Sequence, residues 1–264
     1  MIQAKLTRTN ILGVGVSAIN MAQATAAIEA WIANGERRYV CVATVNNLTE
    51  CQRDPEFRRI HNRAGLVTPD GMPLVWLSRL KGAGHVERVY GPDLMLAMCA
   101  IAARKGYRNY LYGGAEGVGQ KLAEKLTARF PGLQIVGIDS PPFRPLTEEE
   151  DRAAVERINA CQPDIVWVGL STPKQERWMN AHVGRVQAAA LIGVGAAFDF
   201  HAGVKKQAPR WMQRSGLEWV FRLISEPGRL WKRYLINNPW FVWLVLLQSL
   251  GLRRYDLDDG SARP

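Results

Sequence analysis

Histidine and cysteine are scarce, at four residues each in a chain of 264. Cys41, Cys51, Cys99 and Cys161 lie far apart, form no CxxC pair and have no His at metal-ligand spacing. That pattern argues against a zinc site and excludes a disulfide-stapled miniprotein. The cysteines read as reduced thiols of a cytosolic protein. No segment reaches the roughly 20 apolar residues that a spanning helix needs. The first residues lack a signal peptide's layout, since Lys5 and Arg8 precede only a short, Gly-broken run over 11–19. No Gly-rich stretch is a GxGxxG or is followed by a Walker Lys-Ser/Thr pair. Acidic residues are the other shortage: 24 Asp and Glu face 34 Lys and Arg, for a formal charge of +10. The partner is therefore expected to be anionic: a nucleotide, a lipid phosphate, a membrane surface or nucleic acid. At 47% hydrophobic and 22% charged, the chain can bury a sizeable core, which excludes a disordered or collagen-like protein.

The positive charge is concentrated late. Ten of the basic residues, and only Glu218 and Glu226 against them, fall between Gly203 and Arg254. The same stretch holds five of the nine Trp: Trp211, Trp219, Trp231, Trp240 and Trp243. This shift divides the chain into a core over 1–202, a basic appendage over 203–255 and a polar tail over 256–264. Within the appendage, Trp240–Leu252 is apolar but for Gln248, Ser249 and Gly251, and it is flanked by Lys232-Arg233 and Arg253-Arg254. A short apolar body with Trp at its end and cations outside fits a helix lying in a membrane interface. The plainer reading is a terminal helix packed on the core or on a second subunit.

Before position 203, strands and helices alternate. Strands are expected at 11–16, 39–45, 66–68, 109–112, 133–138, 165–170 and 190–194. Helices are expected at 21–33, 55–63, 92–105, 118–130, 148–160 and 176–183. Thr147 and Glu150 form a capping box at the start of one helix. Alternation with continuous apolar strands predicts an α/β fold, a mostly parallel sheet with helices on both faces. Ligands of such sheets bind at the carboxyl ends of the strands. The residues there include Thr44 to Asn47, Thr68 to Gly71, Gly113 to Gly117, Gly169 to Gln175 and Gly195 to Asp199.

Each of these has a bland reading beside the functional one. Gly113–Gly117 suits a phosphate at a helix start, or a tight βα turn. Asp70, between Pro69 and Gly71, suits a general base or a turn and N-cap aspartate. Thr44, Asn46 and Asn47 suit contacts to a polyol or a turn. His61, His85, His182 and His201 have no partner pattern. Asp256-Leu257-Asp258 spells the DxD of metal-dependent sugar transferases but reads as part of a solvated tail.

Several ordered pieces together resemble the WecG/TagA/CpsF family of bacterial glycosyltransferases. They are Thr44-Val45-Asn46, Thr68-Pro69-Asp70-Gly71-Met72-Pro73, Glu87–Asp93, Leu111-Tyr112-Gly113-Gly114, Pro141-Pro142-Phe143, Gly169–Glu176, Gly193–Asp199, Ala208–Trp211, Gly216–Leu223, Glu226-Pro227 and Arg229. The resemblance covers nearly the whole chain. It implies a Rossmann-like core and a C-terminal appendage that meets the membrane and completes the active site. It implies inverting transfer of a sugar from a UDP-sugar to a polyprenyl diphosphate-linked sugar, without a metal or other cofactor, at the cytoplasmic face of the plasma membrane. Asp70 matches the family's proposed base, with Thr44 and Asn46 beside it, and Arg88 and Gln175 match pocket residues. Arg222, Arg229 and Arg233 match appendage arginines that reach the diphosphate, although Lys232 competes with Arg233 for the third place. Gly113, Gly114 and Asp199 complete the expected substrate-binding set. The Pro141-Pro142-Phe143 and Leu170-Ser171-Thr172-Pro173 wording is similar to the exopolysaccharide branch, which implies glucosyl transfer. The alternative is N-acetylmannosaminyl or N-acetylmannosaminuronosyl transfer. The expected partners are thus the sugar nucleotide, the lipid-linked acceptor and an anionic membrane surface, with a homo-oligomer left open and no nucleic acid. A nucleotide-cofactor oxidoreductase is disfavoured by the missing GxGxxG. A basic membrane or nucleic-acid adaptor would leave the polar strand ends unexplained.

Overall fold

The computed structural model describes residues 6–258, apart from the side chains of Arg229 and Arg233. In chain order the elements are β1 (Arg8–Ile11), β2 (Val14–Ser17), α1 (Met21–Asn34), β3 (Arg38–Ala43), α2 (Val45–Arg53), α3 (Pro55–Arg63), β4 (Leu66–Pro69), α4 (Met72–Leu80) and α5 (Gly91–Lys105). They continue with β5 (Arg108–Gly113), α6 (Val118–Arg129), β6 (Gln134–Asp139), α7 (Glu148–Ala160), β7 (Ile165–Gly169), α8 (Lys174–His182) and β8 (Ala190–Gly193). The last four are α9 (Ala197–His201), α10 (Arg210–Arg214), α11 (Glu218–Ser225) and α12 (Pro227–Ser249). The fold is α/β and Rossmann-like, a parallel sheet flanked by helices. The chain forms two compact units: one gathers residues up to Met21, Val42–Tyr90 and the residues from Gln207 on, and the other gathers Ala22–Cys41 and Gly91–Lys206.

The second unit carries the parallel strands in the order β3-β8-β7-β5-β6. Its strands are apolar on both faces because helices cover both, so every residue from Ile165 to Val168 is buried. Trp167 lies at the centre and donates its indole N–H to Asn109 Oδ1 at 3.0 Å, which satisfies this buried donor.

The first unit contains an antiparallel hairpin where the sequence predicts one strand over 11–16. Leu12 and Gly13 both have positive φ, 53° and 78°, and form the two-residue turn between β1 and β2. Val67 N–H donates to Ser17 Oγ at 3.0 Å, which fastens β4 to this hairpin. Helices α2 and α4 were also not expected. Each begins directly after a strand end and is short, so its periodicity is weak.

The appendage is part of the first unit's core. Leu230, Phe241 and Leu244 of α12 are buried, as is Asn237 on the same helix. Gln248 Oε1 accepts the Leu12 N–H at 3.1 Å. The opposite side of α12 leaves Trp231, Leu235, Ile236, Val242, Trp243, Leu246 and Leu250 exposed. Both readings of this segment therefore have a face of the helix. No helix among the described residues is long and apolar enough to cross a membrane.

Candidate active site

The first unit brings two strand ends together. β3 stops at Ala43, and Thr44 takes an extended conformation (φ −117°, ψ 174°) as the N-cap of α2. Asn47 locks that turn: its Oδ1 accepts from the Thr44 N–H at 3.1 Å and from the Thr44 hydroxyl at 2.7 Å. Asp70 follows β4, and its N–H donates to the Ala43 carbonyl at 3.0 Å. Gly71 N–H reaches the same carbonyl at 3.3 Å. A Cβ on Gly71 would lie 3.6 Å from Thr44 Cα, so the two loops are in van der Waals contact. Thr44 and Asp70 are thus neighbours fixed by backbone.

Asp70 is only 8% exposed, and charged groups surround it. Arg88 Nη2 donates to Asp70 Oδ1 at 3.0 Å, and Arg88 Nε donates to the Asp70 carbonyl. The same Nη2 donates to Glu218 Oε2 of α11 at 2.6 Å. Arg88 Nη1 reaches the Gln213 carbonyl at 3.3 Å, and the guanidinium stacks 4.0 Å over the Tyr90 ring. Tyr90 donates its hydroxyl to Glu218 Oε1 at 3.1 Å. Burial alone would lower the Arg88 pKa, but the Asp70 and Glu218 carboxylates outweigh it, so Arg88 stays charged. Burial, then Glu218 and Asp70, push the Tyr90 hydroxyl well above its ordinary value, so it remains a donor. Burial opposes the charge on Arg222 too, yet Tyr234, Glu218, Tyr90 and Asp70 hold its pKa up. Arg222 is therefore within electrostatic reach of Asp70.

A second link runs to Asn46. Asn237 of α12 donates Nδ2 to Asn46 Oδ1 at 3.1 Å and accepts from Arg53 Nη2 at 2.8 Å. Arg53 lies 4.5 Å over the Trp240 ring. The appendage arginines do not share one helix. α11 ends at Ser225, Glu226 follows, and Pro227 opens α12, where a missing N–H costs nothing. Arg222 is on α11, and Arg229 and Arg233 are on α12, with side chains outside the described ones.

The remaining expected residues belong to the second unit. Gly113 and Gly114 have φ of 124° and 77°. A Cβ on Gly113 would fall 2.6 Å from the Gly169 carbonyl carbon, and Gly114 N–H donates to the Gly169 carbonyl at 3.0 Å. Close approach of β5 and β7 accounts for Gly113, whereas at Gly114 the positive φ and the Phe198 ring, 3.2 Å from where a Cβ would stand, favour glycine. Gln175, at the start of α8, is 4% exposed and donates Nε2 to Glu176 Oε1 at 3.2 Å. Its own Oε1 is a buried acceptor with no hydrogen-bond partner among the described residues, beside Gly195. Such an orphan costs about 1–3 kcal/mol unless a ligand donor meets it. Asp199 of α9 is half-buried; Lys205 stands 3.5 Å from its carboxylate, and its carbonyl accepts the Val204 N–H at 2.8 Å.

Sequence reasoning missed Glu218 and Asn237. The signals were one of two acids among ten cations, within the resembling piece Gly216–Leu223, and a polar residue inside a largely apolar helix. His182 is a packed core histidine: it is buried, stacks on Trp178 at 4.2 Å and meets Asp151 Oδ1 at 2.8 Å. Asp256 and Leu257 of the DxD-like segment are exposed, while its backbone is anchored: Asn62 donates to the Asp258 carbonyl at 2.9 Å, and Asn10 to the neighbouring Tyr255 carbonyl at 2.6 Å. Among the described residues, no three His, Cys, Asp or Glu side chains converge where an ion could sit.

Comparison with known proteins matches residues 9–255 to the model of the glycosyl transferase WecG/TagA/CpsF family. A protein of Bacillus subtilis, named N-acetylglucosaminyldiphosphoundecaprenol N-acetyl-beta-D-mannosaminyltransferase, is 32% identical over 198 residues, 75% of this chain and 74% of that one. A Bacillus spizizenii protein of the same name is 31% identical over 197 residues, again 75% and 74%. A Staphylococcus aureus protein of that name is 26% identical over 247 residues, 92% of this chain and 94% of that one.

Proposed function

The chain belongs to the WecG/TagA/CpsF family of glycosyl transferases, and we propose that it moves N-acetylmannosamine from UDP-N-acetylmannosamine to undecaprenyl diphosphate-linked N-acetylglucosamine. The similarity to relatives bearing that activity's name supports this sugar over glucose. Glucosyl transfer for an exopolysaccharide, which the loop wording implies, has less support.

The observation that carries the mechanism is Asp70, a buried carboxylate at a strand end, neighboured by Thr44 and oriented by Arg88. Asp70 takes the proton from the acceptor hydroxyl while that oxygen bonds to the anomeric carbon of the donor. The bond from that carbon to the UDP oxygen breaks, and its electron pair leaves with UDP. The transition state is oxocarbenium-like. An α-linked donor attacked from the opposite face gives the β-linkage in the relatives' names. Thr44 and Asn46 position the acceptor beside Asp70. Arg222, Arg229 and Arg233 neutralise the departing diphosphate in place of a metal. In the second unit, Gln175 Oε1 is the acceptor best suited to a sugar hydroxyl, with Asp199 as a second contact. The loop from Gly113 and Gly114 to Gly117 leads into the start of α6, where free backbone N–H groups suit a phosphate.

The exposed apolar face of α12, with Arg and Lys around it, supports peripheral attachment to an anionic cytoplasmic leaflet. That places the protein where its lipid-linked acceptor is. The appendage over 203–255 is then the membrane-associating part.

The test is a donor screen in EDTA. Purified protein receives a short polyprenyl diphosphate-linked N-acetylglucosamine with UDP-N-acetylmannosamine, UDP-glucose, UDP-N-acetylglucosamine or UDP-glucuronate. Acceptor-dependent UDP release with the first donor alone supports the reading. Release with UDP-glucose alone overturns the sugar, and a strict need for Mn²⁺ overturns the metal-free mechanism.

A further inference from the structure

Arg88 is expected to line a substrate pocket, but its guanidinium is engaged inside the protein. Three of its nitrogens donate to Asp70, Gln213 and Glu218, and its face covers Tyr90. The arrangement poses a chemical difficulty for a base. A carboxylate hydrogen-bonded to an arginine binds a proton less readily, typically by 1–3 pH units. A base weakened that far removes the acceptor proton poorly. A second carboxylate on the same nitrogen offsets this.

We propose that Glu218 is a positioning residue that keeps Asp70 a competent base by dividing the charge of Arg88 with it. The inference rests on Asp70 being the base, as argued above. One nitrogen, Nη2, serves both acids, at 3.0 Å for Asp70 and 2.6 Å for Glu218, so the shorter contact goes to the acid that does no chemistry. Tyr90 holds the other Glu218 oxygen at 3.1 Å, which fixes the carboxylate against Arg88. Among the described residues, the charged and titratable groups around this trio are Tyr90 beside Arg88, Arg222 on the same helix as Glu218, and Tyr234 of α12 beside Arg222. Glu218 is the first residue of α11, where a helix favours an anion, so the pairing also seats the start of α11 on the Asp70 loop. Its presence therefore makes the basicity of Asp70 depend on the appendage being in place.

The experiment is the pH profile of kcat/KM for UDP-N-acetylmannosamine with the lipid-linked acceptor. Glu218→Gln and the near-isosteric Glu218→Met leave Arg88 fully on Asp70. Both are expected to move the acid limb to lower pH by about one unit and to lower the plateau about 3–10-fold. Glu218→Asp keeps the charge and should leave the limb within a few tenths of a unit of the parent. Arg88→Gln should move it the other way, to higher pH. A Glu218 that only holds the fold would lower activity equally at every pH, and an unmoved limb in Glu218→Gln and Glu218→Met overturns the proposal. Asp70→Asn separates the two levels. If it is inactive while the limb fails to move, only the role of Glu218 falls; if it retains full turnover, the base assignment and this inference fall together.

Discussion

Asn237, seven residues beyond Leu230 on the buried stripe of α12, donates its amide to the side-chain oxygen of Asn46 at 3.1 Å. Asn46 is a residue the sequence places at the site. The last helix is thus tied by one hydrogen bond to the start of α2, and Arg53 on Asn237 Oδ1 fixes which way the amide points.

Replacing Asn237 by Leu keeps the packing and removes that tie. The half-buried Asn46 and the exposed Arg53 then each lose a bond, at a cost of about 0.5–1.5 kcal/mol. We expect a lower Tm and a several-fold loss of kcat/KM, with vesicle binding unchanged. Thermal melts, steady-state kinetics and flotation on anionic vesicles check this, and unchanged kinetics would show that Asn46 needs no such support.

Asp70→Asn keeps the size and the Arg88 contact but cannot take a proton. Turnover should fall by about 10²–10⁴-fold, the usual contribution of a positioned base. UDP binding by calorimetry should stay close to the parent value. Retained turnover would mean that another group accepts the proton.

Membrane attachment is best tested by point changes on the exposed side of α12. Trp231 and Trp243 are 47% and 56% exposed, so replacing both with Ser leaves the core intact. Cutting the chain at Leu217 would instead remove Leu230, Phe241 and Leu244 from the first unit's core. The double variant should melt within a degree or two of the parent and lose most of its binding to vesicles with anionic lipid. Undiminished binding would put the contact elsewhere.

Gly113→Ala should be poorly tolerated. The new methyl group meets the Gly169 backbone at 2.6 Å, and the residue must also hold φ at 124°. Overpacking and backbone strain together amount to about 2–4 kcal/mol. A denaturant midpoint equal to the parent's would show that the β5 and β7 ends can separate freely.

The sheet was legible because its strands are continuous apolar runs between Gly and Pro, and helices such as α7 announce themselves by their caps. The hairpin was not, because Leu12 occupies a positive-φ position that Asn or Gly usually takes, so β1 and β2 read as one strand. α2 was hidden by its polar sequence, Val45–Arg53, whose helix start depends on Asn47 closing the Thr44 turn. Asp70 and Thr44 could be singled out as strand-end residues, but their contact rests on two backbone N–H groups sharing the Ala43 carbonyl, and no spacing encodes that. Glu218 was invisible for a similar reason: its partner Arg88 is 130 residues away, and an acid in a basic segment carries no periodic signal.

The most direct measurement is a competition. Wild-type protein receives equimolar UDP-N-acetylmannosamine and UDP-glucose with polyprenyl diphosphate-linked N-acetylglucosamine. The disaccharide is then released from the lipid by mild acid and read by mass and by the NMR coupling at its anomeric carbon. The account predicts a single product, N-acetylmannosamine in β-linkage on N-acetylglucosamine, formed by the parent and lost in Asp70→Asn. A hexosyl product, or an α-linkage, would contradict it.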